Sequence, residues 1–172
     1  MKEKIFIEGG KKLSGSIPIS GAKNSCLTLM PASLLSESGL ILNNVPNLSD
    51  VDTMKALLES LGCVVHYKKS DKTLDVKTSN VSLFLADYDI VKKMRASILV
   101  LGPLLARLGQ AMVALPGGCA IGARPINLHL MALEALGARF SIENGYVKGK
   151  VGSSLKGCKI EFPFQSVGAT AN

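Results

Sequence analysis

The sequence has no tryptophan, and only three tyrosines and five phenylalanines in 172 residues. A core must therefore come from Leu, Ile, Val, Ala and Met, and a hydrophobic content of 47% is enough to build one. Charge is also scarce, at 19% of residues, against about 25% in an average soluble domain. That composition excludes a disordered chain, which is charge-rich and poor in apolar residues. Histidine is limited to His66 and His129, and the four cysteines (Cys26, Cys63, Cys119 and Cys158) form no Cys-x-x-Cys pair. Zinc and thioredoxin-type sites lose the spacing they need, so no metal is expected. Unpaired thiols point to a reducing compartment, the cytoplasm. The most apolar run, 96–106, is bounded by Arg95 and Arg107. It falls short of the ~20 residues needed to cross a bilayer. Residues 1–6 lack the apolar stretch of a signal peptide, and no membrane partner is expected.

What is present in excess is positive charge, a net +7. Lys2, Lys4, Lys11, Lys12, Lys68, Lys69 and Lys72 are scattered and do not alternate with aromatics, which argues against nucleic acid as a partner. A small, phosphate-rich substrate suits the surplus better, with a solvated surface as the plain alternative.

The pattern along the chain is α/β. Residues 4–8 and 13–19 read as strands around a Gly9-Gly10 turn, and 22–30 as a helix start that Pro31 kinks or ends. A strand at 39–43 leads to a turn at 45–47. Ser49 is placed to cap the next helix, with Asp52 as a capping-box acid. Val51, Met54, Leu58 and Leu61 share a face, and Gly62 supplies the stop. Strands at 63–67 and 74–77 form a hairpin. One long helix is predicted over 88–108, with Pro103 inside and Gly109 after it. A strand at 111–115 follows, then a helix near Pro125 with Ile126, Leu130 and Leu133 buried and Gly137 as its stop. Strands at 139–142 and 146–150 complete the pattern.

Two internal echoes indicate repetition. Leu57-Leu58-Glu59-Ser60-Leu61-Gly62-Cys63 returns as Ala132-Leu133-Glu134-Ala135-Leu136-Gly137-Ala138. Leu13-Ser14-Gly15 and Ser20-Gly21-Ala22 return as Leu155-Lys156-Gly157 and Val167-Gly168-Ala169. The last copy begins at Ser166 and stops at Asn172, so the chain is expected to be incomplete.

Three places could carry chemistry. In Pro116-Gly117-Gly118-Cys119-Ala120-Ile121-Gly122-Ala123-Arg124-Pro125 a thiol sits among glycines that free the backbone. Arg124 and the following helix start would lower the thiol's pKa towards neutrality. The alternative is a tight turn around an inert, buried cysteine. The spacing of Gly117 and Gly122 copies a phosphate-binding loop, but Ala123-Arg124 replaces the Lys-Ser/Thr that loop requires, and nothing is placed to hold magnesium. Lys23 and Asn24 open a helix, a natural seat for an anion, although a solvated lysine there is common. Arg95 interrupts an apolar run and must pair, face a cleft or snorkel.

Five motifs, in order, resemble the UDP-N-acetylglucosamine 1-carboxyvinyltransferase family across essentially the whole chain. They are Ile19-Ser20-Gly21-Ala22-Lys23-Asn24, Asn44-Val45-Pro46-Asn47-Leu48-Ser49-Asp50-Val51, Lys93-Met94-Arg95-Ala96-Ser97, the loop 115–125 and Ser166-Val167-Gly168-Ala169-Thr170. The resemblance implies an inside-out α/β barrel of the enolpyruvyl transferase type, built from repeated strand–helix units. It also implies that residues 1–20 are strands of a largely absent second domain, and that 21–172 are about two of three units of the first. The activity implied is transfer of enolpyruvyl from phosphoenolpyruvate to the 3′-hydroxyl of UDP-N-acetylglucosamine, with release of phosphate, at the start of peptidoglycan synthesis. No cofactor or metal is required by that scheme. Cys119 matches the family's proton donor and fosfomycin target. Lys23, Asn24 and Arg124 match contacts to phosphoenolpyruvate or the diphosphate. Arg95, Arg124, Pro125, Ile126, Asn127, Leu128, Ser166 and Val167 match contacts to the nucleotide sugar. Asn127 stands where the family usually carries Asp. The remaining C-terminal part of such an enzyme, with its catalytic aspartate, is the implied partner. A catalytically silent piece that only binds nucleotide sugar is the alternative.

Overall fold

The structure is a computed structural model that describes residues 4–92, 94–115 and 126–171. Its centre is helical and its outside is sheet. Helix α1 (Lys23–Ala32) runs into a 3-10 turn at Ser33–Leu35. Pro31 sits near its end, where it withholds one backbone donor and the helix tightens rather than continues. Strand β1 (Leu40–Leu42), helix α2 (Ser49–Ser60) and strands β2 (Val64–Lys68) and β3 (Thr73–Lys77) complete the first unit. The second unit has β4 (Leu85–Ala86), α3 (Tyr88–Val91), a 3-10 helix Arg95–Val100, α4 (Leu101–Leu108), β5 (Gln110–Ala114), α5 (Asn127–Ala135), β6 (Ala138–Glu143) and β7 (Tyr146–Val151). A short helix α6 (Val167–Ala171) closes the described chain. No helix among the described residues is long and apolar enough to cross a membrane.

The two units have the same strand order. The first sheet runs β1-β3-β2, all antiparallel. The second runs β4-β5-β7-β6, with β5-β7-β6 antiparallel and β4 added in parallel. The equivalent helices α2 and α5 end at glycines with left-handed backbone, Gly62 (φ 98°) and Gly137 (φ 103°), and each feeds the outer strand of its hairpin. The sequence echo at 57–63 and 132–138 is thus one structural joint used twice.

Each sheet turns one face inward. In the first, Val65, Leu74 and Val76 are buried while Val64, His66 and Lys68 point to solvent. In the second, Ala111, Val113, Val147 and Ala138 face the core. That core is filled by α1, α2 and α4, with Met30, Met54, Leu57, Leu58, Leu101 and Leu104 fully buried. Gly149 leaves room there for the Phe140 ring, which would have to move if a Cβ came within 2.6 Å of it.

Four predicted features differ. Residues 4–19 join neither sheet, and Ile5, Phe6, Ile7, Leu13, Ile17 and Ile19 are 83–93% exposed. The alternation that suggests strands is real, but a strand also needs a backbone hydrogen-bonding neighbour, and no described residue provides one. Helix α2 begins one residue earlier than expected: Leu48 is the N-cap and Ser49, already helical, makes no capping bond, while Asp50 and Asp52 occupy the first turn. The single helix predicted over 88–108 is three pieces, broken where Met94 turns extended (φ −150°, ψ 116°). Pro103 lies in the first turn of α4, where a missing N–H costs little. On α5, Leu130 is half-buried, and the buried face is formed by Leu128, His129, Ala132 and Leu133.

Candidate active site

The first cluster forms where two helix starts meet. Gly21 lies so close to the backbone of Asn44 that a Cβ would fall 1.9 Å from its carbonyl oxygen. The Asn44 side chain donates to the Ile19 carbonyl at 3.3 Å. These contacts fix the entry to α1 beside the entry to α2. Lys23, the first residue of α1, then reaches Asp50 in the first turn of α2, with Nζ–Oδ2 at 2.8 Å. Helix α1 has no side-chain cap and no acid in its first turn, so its leading N–H groups stay open to a ligand. The Lys23–Asp50 pair is half-exposed, at 48% and 35%. It adds little to stability in water, and an incoming anion can share or displace the carboxylate. Asn24 is exposed next to it.

The second cluster draws together residues far apart in sequence. Arg95 opens the 3-10 helix that packs on α1, and it is half-buried. His129 on α5 is 4% exposed. Burial, and then the positive charge of Arg95, hold its imidazole below the usual histidine range, so the ring is neutral at pH 7. Its edge lies against α6: a Cβ on Gly168 would sit 3.7 Å from Nε2. Ser166 caps α6, its Oγ accepting from the Ala169 N–H at 3.3 Å. Val167 begins that helix and is 88% exposed. Ile126 is buried just before α5, Asn127 is exposed at its first position and Leu128 is buried behind it.

His129 therefore joins α5 to the turn at Ser166, and Lys23 with Asn24 lies on the helix that packs against the Arg95 segment. Cys119, Arg124 and Pro125 lie outside the described residues. A cavity of about 670 Å³ borders Ser166 and Val167, lined also by Phe162, Phe164 and Gln165. A larger one, about 880 Å³, runs along β6 and β7 and holds none of the expected site residues.

Two contributors escape sequence reading. His129 is visible only as one of two histidines, and nothing in its spacing shows that it packs against α6. Asp50 reads as a helix-start acid, and its pairing with Lys23 needs the crossing of two helices.

The other described cysteines are structural. Cys26 and Cys63 are buried. Burial pushes both thiols up, Cys63 to about 11, with Arg107 partly offsetting and Glu59 adding to the rise. Cys158 is exposed and its thiol donates to the Ala135 carbonyl at 3.3 Å.

The fold is shared with solved enolpyruvyl transferases. The fold matches the enolpyruvyl transferase NikO from Streptomyces tendae with a TM-score of 0.72 and 25% identity, over 88% of this chain and 33% of that one. It also matches an EPSP synthase from Acinetobacter baumannii with a TM-score of 0.64 and 17% identity, over 91% of this chain and 36% of that one. The sequence profile of the family described as EPSP synthase (3-phosphoshikimate 1-carboxyvinyltransferase) matches residues 7–172, and the chain belongs to that family. Among curated relatives, a UDP-N-acetylglucosamine 1-carboxyvinyltransferase of Dinoroseobacter shibae is 59% identical over 170 residues. Another, of Ruegeria pomeroyi, is 56% identical over 170 residues. Each match covers 99% of this chain and 40% of the relative, so the chain spans about two-fifths of the length of these relatives.

Proposed function

We propose that this chain carries the proton-donor loop and much of the anion-binding wall of an enzyme that moves enolpyruvyl from phosphoenolpyruvate to the 3′-hydroxyl of UDP-N-acetylglucosamine. That reaction commits carbon to peptidoglycan and so to cell-wall growth and division. The observation that carries the reading is the 54–59% identity, over 99% of the chain, to relatives bearing that enzyme's name. Residues 21–172 supply part of the first domain, and residues 1–20 supply strands to a second. The remaining C-terminal part is the partner that completes the cleft. The reaction runs in the cytoplasm, which suits the free thiols of Cys26, Cys63 and Cys158.

The proposed chemistry has three steps. The Cys119 thiol gives its proton to the methylene carbon of phosphoenolpyruvate, leaving an electrophilic carbon that bears the phosphate oxygen. The sugar 3′-oxygen bonds to that carbon and passes its proton to a base in the C-terminal part. The carbon–oxygen bond to phosphate then breaks, and a proton lost to a base from the methyl group made in the first step restores the double bond. Lys23, Asn24 and Arg124 hold phosphoenolpyruvate or the diphosphate, Lys23 using the open first turn of α1. Arg95, with Pro125, Ile126, Asn127, Leu128, Ser166 and Val167, holds the nucleotide sugar.

Fosfomycin is the direct test. With the C-terminal part and UDP-N-acetylglucosamine supplied, it should modify Cys119 stoichiometrically, as read by peptide mass spectrometry. Modification at another cysteine, or none, rejects the role given to Cys119. The coverage of two-fifths of the relatives favours a second reading, a chain that binds nucleotide sugar without turnover by itself. Phosphate release by this chain with and without the C-terminal part separates the two, and we expect turnover only with both.

A further inference from the structure

We propose that the outer face of the second sheet is a binding site for a small ligand carrying two phosphate groups, seated in the cavity along β6 and β7. None of the residues assigned under Proposed function lines that cavity, and the site does not depend on the reaction proposed there.

The wall is cationic. Arg139, Lys148, Lys150 and Lys156 line this cavity of about 880 Å³, and Glu143 is the one acid among the described residues around it. Glu143 is already taken by Lys148, whose Nζ donates to Oε2 at 2.6 Å. Arg139, Lys150 and Lys156 are exposed and have no ion-pair partner among the described residues.

Strand register sharpens the point. Arg139 on β6 stands directly opposite Lys150 on β7, and like charges on one rung of an antiparallel pair repel. The first repeat avoids this. Counted from the glycine that ends the preceding helix, its equivalent rung sets Val64 against Lys77. Its next rung sets His66 against Asp75, where the second sheet has Ser141 against Lys148. The shared hairpin therefore does not require a cationic face, and only the second copy has one. A phosphate between Arg139 and Lys150 turns their repulsion into two charge-assisted hydrogen bonds.

Shape and charge balance define the ligand. The cavity lies within the range of small-molecule sites. Ser153 and Ser154, which also line it, add hydroxyl donors. One phosphate ester brings about −1.5 to −2 charges, too few for three unpaired cations, whereas two phosphate groups match them.

Amide NMR of this chain, titrated with inorganic pyrophosphate, tests the site residue by residue. We expect saturable shifts at Arg139, Lys150 and 152–154 that sodium chloride at equal ionic strength does not reproduce. Orthophosphate should bind there about tenfold more weakly, having fewer charge-assisted contacts. Arg139→Gln and Lys150→Gln should each weaken pyrophosphate binding at the groove about tenfold, while Lys77→Gln, on the matching rung of the first sheet, should leave it unchanged. Should one groove variant fail to fold, the other and Lys156→Gln decide the matter. Shifts confined to Lys23 and Asn24, groove shifts that chloride reproduces, or unchanged affinity in the groove variants overturn the proposal. Equal affinity for orthophosphate removes the two-phosphate ligand. Binding to phosphatidylglycerol vesicles but not to pyrophosphate would make the face a membrane contact and reject the small-ligand site.

Discussion

Gly21 and Gly137 show how one residue type serves two purposes. At Gly21 the constraint is space, because a methyl group would be driven into the Asn44 carbonyl, which is backbone and cannot swing away. At Gly137 it is conformation: φ is 103° and the surroundings are open. Gly21→Ala should therefore cost about 3 kcal/mol, the upper range for overpacking. Gly137→Ala should cost about 1–2 kcal/mol, the strain of a left-handed residue with a Cβ. Urea unfolding of the two variants checks the order. Gly21→Ala should also disturb Lys23, because the two share one turn at the head of α1.

Cys63 makes a pH prediction at the same scale. In an unfolded chain a thiol ionises near about 8.5, whereas burial pushes Cys63 up to about 11. Between these values the unfolded chain has released a proton that the folded one retains, so the unfolded state gains as pH rises. Stability should be level below the lower value and fall through the alkaline window until the folded thiol also ionises. Unfolding midpoints from pH 8 to 11 should fall less steeply in Cys63→Ala than in the wild type. An equal slope in both would assign the alkaline loss to other groups.

Among the elements, α4 carries an unexpected duty. Its Arg107 donates from Nη1 to the carbonyls of Leu34 and Ser36, both at 2.9 Å, and from Nη2 to that of Thr78 at 2.7 Å. Thr78 Oγ1 also donates to the Ser36 carbonyl. Arg107→Met should destabilise the chain by about 2–4 kcal/mol, because charge-assisted bonds vanish and half-buried carbonyls lose their donor. Arg107→Lys should recover only a minor part, since a point charge cannot reach three acceptors at once. Thermal or urea unfolding measures both. From sequence, Arg107 is only the flank of an apolar run, because its three acceptors are backbone atoms 29 to 73 residues away.

The same limit explains what could be read at the level of elements. Helix α2 was legible because Val51, Met54, Leu58 and Leu61 recur at helical spacing and Gly62 ends them, and all four side chains are fully buried. The β2–β3 and β6–β7 hairpins follow from alternation and turn residues. The break before Arg95 was not legible, since no glycine or proline marks it and the apolar pattern runs straight through. Residues 4–8 and 13–19 alternate as strands do, but they have no backbone partner among the described residues. At the site, Lys23 and Arg95 could be picked out as cations in telling places, but Asp50 and His129 become meaningful only once helices cross.

At the scale of the whole molecule, residues 4–19 contribute apolar side chains that shield nothing in this chain. Ile17→Ser or Phe6→Ser should change its unfolding free energy by no more than about 0.5 kcal/mol, the range of ordinary surface changes. The equivalent change at buried Val76 should cost several times more. A large loss from Ile17→Ser would mean that this segment packs in solution against part of the chain.

Arg107 has one further consequence. It belongs to the second repeat, and all three of its acceptors belong to the first. The two copies are therefore riveted together at a point where backbone atoms of one would otherwise be left open by the departure of the other. Similar modules joined only by a tether could melt at separate temperatures, whereas these two should go in lockstep, with amide exchange at the deepest positions of both halves reporting a single opening energy.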